Sequence, residues 1–303
     1  MGAGTSAPGP VYDERNQPTD RMKPLAAYRD AQREMVRSGL VDIMLSALST
    51  AEVLVDEGLY KDSPVTPACR LNDTTDIWGF RGAYYKSKEQ ARPFRTVRLD
   101  RAREILDLGL YAITLYNDID RDIDTLNRYS EFRAQAEAAG MRHFLEVFNP
   151  EFPVDTLGVD YGFFLNDAIT RALGGVTKRD RPVFLKMAYN GPRVMEELAS
   201  YDPENLVIGI LGGPPGTTRD TFEMVAQAER HGARVSLFGR KVYAAEAAVE
   251  VVRGMRRVIE KEVTPAEAVK QYHDYLAKAR IPARRSLADD LEITEPLLKA
   301  GAA

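Results

Sequence analysis

The chain has 303 residues, 44% of them hydrophobic and 28% charged, a mixture that builds a large buried core and excludes a wholly disordered chain. Its 41 Lys and Arg stand against 45 Asp and Glu, a net charge of −4, which argues against a dedicated nucleic-acid binder. No apolar run is long enough to span a membrane, and the first ten residues lack the apolar core of a signal peptide, so a cytoplasmic location is expected.

Residues 1–22 read as a loose arm. PLAAYRDAQREMVRSG follows with helical spacing and a stop at Gly39. LVDIMLSAL (40–48) is a buried-strand run, then a short helix ends at Gly58. VTPACRLN (65–72) is a strand candidate, and residues 73–98 are polar and aromatic with no clean period. RLDRAREILDLGL predicts a helix ending at Gly109, and YAITLY (111–116) a strand. IDTLNRYSEFRAQAEAAG (123–140) is an amphipathic helix before the strand RHFLEVF (142–148). YGFFLNDAITRALGG is helical, RPVFLKMAY (181–189) a strand, PRVMEELAS a helix and ENLVIGIL (204–211) a strand. Thr218–His231 is a helix, ARVSLFG (233–239) a strand, and a long helix runs from about Ala244 to Glu262. Helices over 264–279 and about 286–299 complete the chain.

Short apolar strands alternating with helices predict a parallel sheet covered on both faces. Seven strands are clear and a closed barrel needs eight; the missing one is sought in VYDE at 11–14. No G-x-G-x-x-G loop supports an open dinucleotide-binding sheet. The expected fold is a TIM (β/α)8 barrel over residues 23–262, with an irregular first strand, an arm at 1–22 and a C-terminal helical extension at 263–303.

In such a barrel the chemistry lies where the strands end. Asp73, Tyr116, Asn117, Glu146, Lys186, Tyr189, Gly212, Gly213, Gly239 and Arg240 occupy or follow those ends. Lys186 lies inside an apolar strand, where burial lowers an amine's pKa and frees it to attack a carbonyl; a snorkelling lysine or half of a buried ion pair would look the same. Glu146 is either functional or paired with Lys186 or Arg142. Tyr116, Asn117 and Asp118 suit substrate hydroxyls or a capping turn. LGGPPGTTRDTF offers close backbone approach and the amides of a helix start, and with Gly239-Arg240 on the next unit it suits a phosphate; simple turn chemistry is the alternative. Trp78 and the tyrosines near 84 either cover the site or pack between subunits. Cys69 alone builds neither a disulfide nor a cysteine zinc site, and His143, His231 and His273 lack metal spacing.

From about Leu110 to Glu260 the chain resembles the class I aldolases of the archaeal-type fructose-bisphosphate aldolase superfamily, which includes the deoxyribose-phosphate and autoinducer-2 phosphate aldolases. PVFLKMAYNG is similar to the family strand whose lysine forms the Schiff base, and Lys186 matches that lysine. VIGILGGPPGTTRDTFEMVAQAERHGARVSLFGRKVY is similar to the phosphate-binding stretch, with Gly212, Gly213, Gly239 and Arg240 matched. There are departures. No Asp-His-Gly turn follows a first strand, Pro215 and Lys241 replace a lysine and an asparagine, and Phe148 replaces a proton-shuttling tyrosine.

The resemblance implies a Schiff-base lyase or transferase acting on a small, phosphorylated, sugar-like carbonyl compound. Lys186 would be the nucleophile, Glu146, Tyr116 or Tyr189 would move protons, and Gly212, Gly213, Gly239, Arg240, Asn117 and Asp73 would bind substrate. No cofactor or metal, nucleic acid or membrane is implied, and a homo-oligomer is. An apolar stripe of Ala268, Val269, Tyr272, Tyr275 and Leu276 is expected to cover either the barrel or a neighbouring subunit. The alternatives are a barrel that only binds a phosphorylated metabolite, and a lyase or isomerase using Lys186 as a simple base.

Overall fold

The computed structural model describes residues 10–13, 18–76, 84–85, 89–212 and 216–301. Eleven strands are found among them: β1 (Pro10–Tyr12), β2 (Pro18–Met22), β3 (Ile43–Ser46), β4 (Thr66–Arg70), β5 (Asp73–Thr74), β6 (Pro93–Phe94), β7 (Leu108–Thr114), β8 (Arg142–Phe148), β9 (Leu185–Met187), β10 (Ile208–Leu211) and β11 (Val235–Leu237). Seven pair in one parallel sheet, in the order β11-β10-β9-β8-β7-β4-β3. These are the seven apolar runs of the sequence. The eighth strand is not VYDE: β1 pairs antiparallel with β2 in a separate hairpin.

Helices follow the strands and cover the outer face: α1 (Leu25–Ser38), α2 (Leu48–Asp56), α3 (Leu99–Ile105), α4 (Ile119–Ala139), α5 (Tyr161–Leu173), α6 (Pro192–Tyr201), α7 (Thr218–Arg230), α8 (Arg240–Ala244), α9 (Ala248–Ile259), α10 (Pro265–Ala279), α11 (Leu287–Asp290) and α12 (Pro296–Gly301). Their ends are written in the sequence. Gly39 and Gly140 adopt positive φ after α1 and α4. Thr217 with Asp220, and Thr264 with Glu267, form capping boxes. Gly109 is no helix stop. It lies within β7, where a Cβ would stand 2.4 Å from Leu71 Cγ. The long helix expected from about Ala244 to Glu262 is the shorter α9, and a further short helix, α8, precedes it. No helix of the described residues is long and apolar enough to cross a membrane.

Strand alternation sorts two cores. Inward, Ala68, Leu108, Leu110, Ala112, Phe144 and Phe184 cluster, with Ile43, Leu45, Val235 and Leu237 packed on them. Outward, Tyr111, Val147, Leu185, Met187, Ile208 and Ile210 join a larger cluster with helix residues such as Phe132, Leu165, Phe222 and Val251. Each large side chain so buried contributes about 2–3 kcal/mol. Among the described residues β3 and β11 are the two edges of the sheet, with no ladder between them. α9 packs on α1 across that seam, and Arg256 Nη1 donates to Leu40 O at 2.9 Å.

The stripe on α10 covers the chain's own barrel. Ala268, Val269, Tyr272 and Leu276 are buried in the outer core, and α10 packs on α7 and α9. Four of the five stripe residues thus cover the chain's own fold, and Tyr275 alone stays exposed. The residues after α10 return to the start of α7. Asp290 accepts from the Thr218 N–H at 2.7 Å and from His273 Nε2 at 3.0 Å. The Thr294 N–H donates to Asp220 at 2.7 Å, and Gln227 Nε2 donates to Leu298 O at 2.8 Å.

Candidate active site

One row of the sheet holds the chemistry. The register aligns Ala112, Glu146, Lys186, Gly209 and Val235 across five strands. All five share the parity of the inward core residues. Gly209 is required where it stands, since a Cβ there would lie 2.7 Å from Leu185 O and 3.0 Å from Val235 Cβ.

Lys186 Nζ is ion-paired with Glu146 Oε1. Both readings of Lys186, reactive amine and buried ion pair, therefore meet in one geometry, and Glu146 takes Lys186 rather than Arg142, which pairs with Asp107. Burial lowers the pKa of the Lys186 amine; the Glu146 carboxylate pulls the other way, and Arg70 and Arg240 add to the lowering. The other Glu146 oxygen accepts from Arg70 Nη2 at 2.9 Å. Arg70 Nη1 donates to Asn72 O at 3.2 Å, and its Nε lies 3.5 Å from Asp73 Oδ1. Asn72 is clamped on β7: its Nδ2 donates to Ala112 O, and its Oδ1 accepts the Ala112 N–H. Burial raises the Asp73 carboxyl to about 6, Arg70 opposing this and Glu146 adding to it.

Farther along β7, buried Asp76 accepts from Thr74 and Thr114 hydroxyls at 2.5 and 3.0 Å. Burial raises its carboxyl despite these bonds. Tyr116 lies within its field, and burial raises the phenol first, Asp76 second. The Tyr116 hydroxyl accepts from the Ala91 N–H at 3.0 Å.

The structure thus brings Lys186 and Glu146 together, with Arg70 standing between Glu146 and Asp73, Arg240 within the field of Lys186 and Tyr116 within that of Asp76. Other expected site residues stand elsewhere. Tyr189 is three positions from Lys186 and so on the opposite face. Its hydroxyl donates to Gln227 of α7 at 3.1 Å, in the helix layer, which removes it from proton transfer at Lys186. Asn117, at φ 55°, donates to Asp155 O. The Gly212 N–H donates to Leu237 O at 3.3 Å, and a Cβ there would meet Phe238 Cδ1 at 2.3 Å. Gly212 is thus explained by close packing. Gly239 caps α8. Gly213, Pro215 and Trp78 lie outside the described residues. Arg240 is exposed and makes no hydrogen bond or ion pair among the described residues. Lys241 Nζ donates to Gly216 O at 2.8 Å and fixes the end of the glycine loop.

The start of α7 differs from the expected open set of amides. Asp290 takes the Thr218 N–H, the Asp220 carboxylate takes that of Thr217 at 2.9 Å, and Thr217 Oγ1 takes that of Asp220 at 3.0 Å. The chain's own carboxylates fill the place offered to an anion.

Arg70, Asn72 and Asp76 were missed in the sequence. The signal for Arg70 was available, an arginine ending an apolar strand with the parity of Ala68.

No protein-family model matches the chain, and no curated protein matches it. Solved structures do. An archaeal fructose 1,6-bisphosphate aldolase aligns with a TM-score of 0.57 at 14% identity, over 78% of this chain and 85% of that one. A Schiff-base-forming fructose-1,6-bisphosphate aldolase gives 0.59 at 16% identity, over 78% and 86%. The fructose-bisphosphate aldolase of Slackia heliotrinireducens gives 0.60 at 12% identity, over 87% and 80%. At these identities the likeness is one of fold, and the α/β barrel expected from the sequence is the fold found.

Proposed function

We propose that this chain is a class I, Schiff-base-forming aldolase acting on a small, phosphorylated, sugar-like carbonyl compound. One observation carries the reading: an amine whose pKa burial lowers, on the inward face of the strand, against a carboxylate. Neutral amine attacks the carbonyl carbon, and the C=O electron pair moves to oxygen. Two proton transfers release that oxygen as water and leave an iminium. The iminium accepts the electron pair of the bond between its α and β carbons, giving an enamine, as a base takes the proton of the β-hydroxyl and that carbon leaves as the aldehyde. Protonation of the enamine and hydrolysis return the amine. Glu146 stands on the nitrogen and moves its protons, with Asp73 behind it across Arg70, and Tyr116 with Asp76 serves the mouth. Arg240, which has no ion pair among the described residues, binds the anionic end of the substrate by a two-bond pairing.

The test is borohydride reduction with dihydroxyacetone phosphate and with triose and pentose phosphates. The expected result is one adduct, on Lys186, absent in Lys186→Met. Binding of these sugars with no adduct favours the binding-only barrel, and turnover with no adduct favours Lys186 as a simple base. A cytoplasmic location belongs to this reading through the sequence's lack of an apolar span or signal core, and a homo-oligomer through the resemblance; light scattering tests the second.

A further inference from the structure

Arg70 is the largest charged group at this site with no role in the chemistry above. It is 6% exposed and lies one strand beyond β7, across the barrel interior from β9. Its guanidinium donates to two acceptors, Glu146 Oε2 and the Asn72 carbonyl, while its Nε faces Asp73 Oδ1 as an ion pair at 3.5 Å with no hydrogen bond between them. Asn72 is itself clamped to Ala112 in the same row as Lys186. The arginine is thus tied to the sheet at one end and holds Glu146 with the other. Glu146 left alone could turn both oxygens to the ammonium; with Arg70 on one oxygen, only the other serves Lys186.

We propose that Arg70 is a positioning residue that fixes Glu146 on Lys186 and, by its own positive charge, opposes charging of the attacking amine. This rests on the Schiff-base reading above. The charged groups acting on Lys186 are Glu146 on β8, Arg70 on β4 and Arg240 at the start of α8; Asp73 on β5 faces Arg70 and Glu146 instead. Removing Arg70 takes away a like charge and leaves Glu146 fully to the ammonium. Both changes favour the charged amine, so they act in one direction.

The experiment reads the amine itself. Intact protein is treated with 13C-formaldehyde and cyanoborohydride from pH 6 to 10. Formaldehyde condenses with loss of water, cyanoborohydride supplies the hydride, and mass spectrometry follows the initial rate at Lys186, with exposed Lys61 as internal comparison. In the unaltered protein the midpoint for Lys186 is expected below that for Lys61. In R70M it rises by about one pH unit, and in R70K by less, because one ammonium keeps the charge but cannot span Glu146 and the Asn72 carbonyl together. Lys61 should not move. If Lys186 and Lys61 share one midpoint in the unaltered protein, the activated amine and with it the Schiff-base reading fail. If Lys186 lies below Lys61 but R70M only melts earlier, with its midpoint unmoved, Arg70 is structural and the inference alone is overturned. Should R70M not fold, R70K decides by the same criterion.

Discussion

Substitution of Asp290 tests whether the tail holds the start of α7. The Asp290 carboxylate is buried and takes two donors, the Thr218 N–H at 2.7 Å and His273 Nε2 at 3.0 Å. Burial alone would raise its pKa; the Thr218 bonds and His273 outweigh it and hold the carboxyl below its ordinary range. A hydrogen bond to a charged group contributes about 1.5 kcal/mol or more. Asp290→Ala removes two and leaves the Thr218 amide buried and unpaired, so the expected loss is about 3 kcal/mol. At about 2–3 °C per kcal/mol for a chain of this length, Tm should fall by about 6–9 °C. Asp290→Asn keeps an acceptor for Thr218 and loses only the charge at the helix start, about 1 kcal/mol. The depressed carboxyl gives stability that is full above an unfolded pKa of about 3.9 and is lost as the pH falls through its lower folded value. Melts at pH 7 and pH 3 measure both. Equal Tm for the alanine and asparagine variants, or an alanine loss under about 0.5 kcal/mol, would refute the argument.

Three further outcomes are expected. Arg240→Ala should leave Tm unchanged and raise KM for a phosphorylated substrate more than it lowers kcat; an equal fall in kcat refutes the anchoring role. Burial first, with help from Arg133, holds His143 at about 4. Since the unfolded chain takes up the proton near pH 6.5, stability should fall by about 3 kcal/mol from there to pH 4. His143→Phe should flatten that slope in urea titrations. Gly212→Ala drives a methyl into the Phe238 ring and should cost about 1–3 kcal/mol; pairing it with Phe238→Ala should recover part of the loss, and simple additivity would point to some other cause.

The strands were legible because a strand covered on both faces is a short apolar run between glycine and polar stops. An ion inside such a run, Glu146 in RHFLEVF or Lys186 in PVFLKM, was legible for the same reason. Tyr189 was misplaced because nearness in sequence was followed instead of alternation; an odd spacing from Lys186 sends it to the other face. Arg70 was hidden by ending its strand, where a charge draws no notice until the strand's neighbours are known. Asp290 could not be read at all. Its partner amide lies 72 positions earlier, and nothing local marks which helix start a tail carboxylate will reach. The stripe on α10 had the right spacing, but spacing does not say whose surface it covers.

The seam between β3 and β11 has a kinetic consequence. A strand hydrogen-bonded on both sides opens only when both ladders break, whereas an edge strand needs to lose one. β7, β8, β9 and β10 are paired on both sides; β3 and β11 are not. Each keeps one ladder and its inward apolar residues, and across the seam α9 packs on α1 and Arg256 bonds Leu40. Breathing of the barrel wall should start there, and amide exchange should run fastest in β3 and β11 and slowest around β8. The wall that carries Glu146 and Lys186 is the part farthest from that weak line, so the charged row stays registered while the far side of the ring loosens.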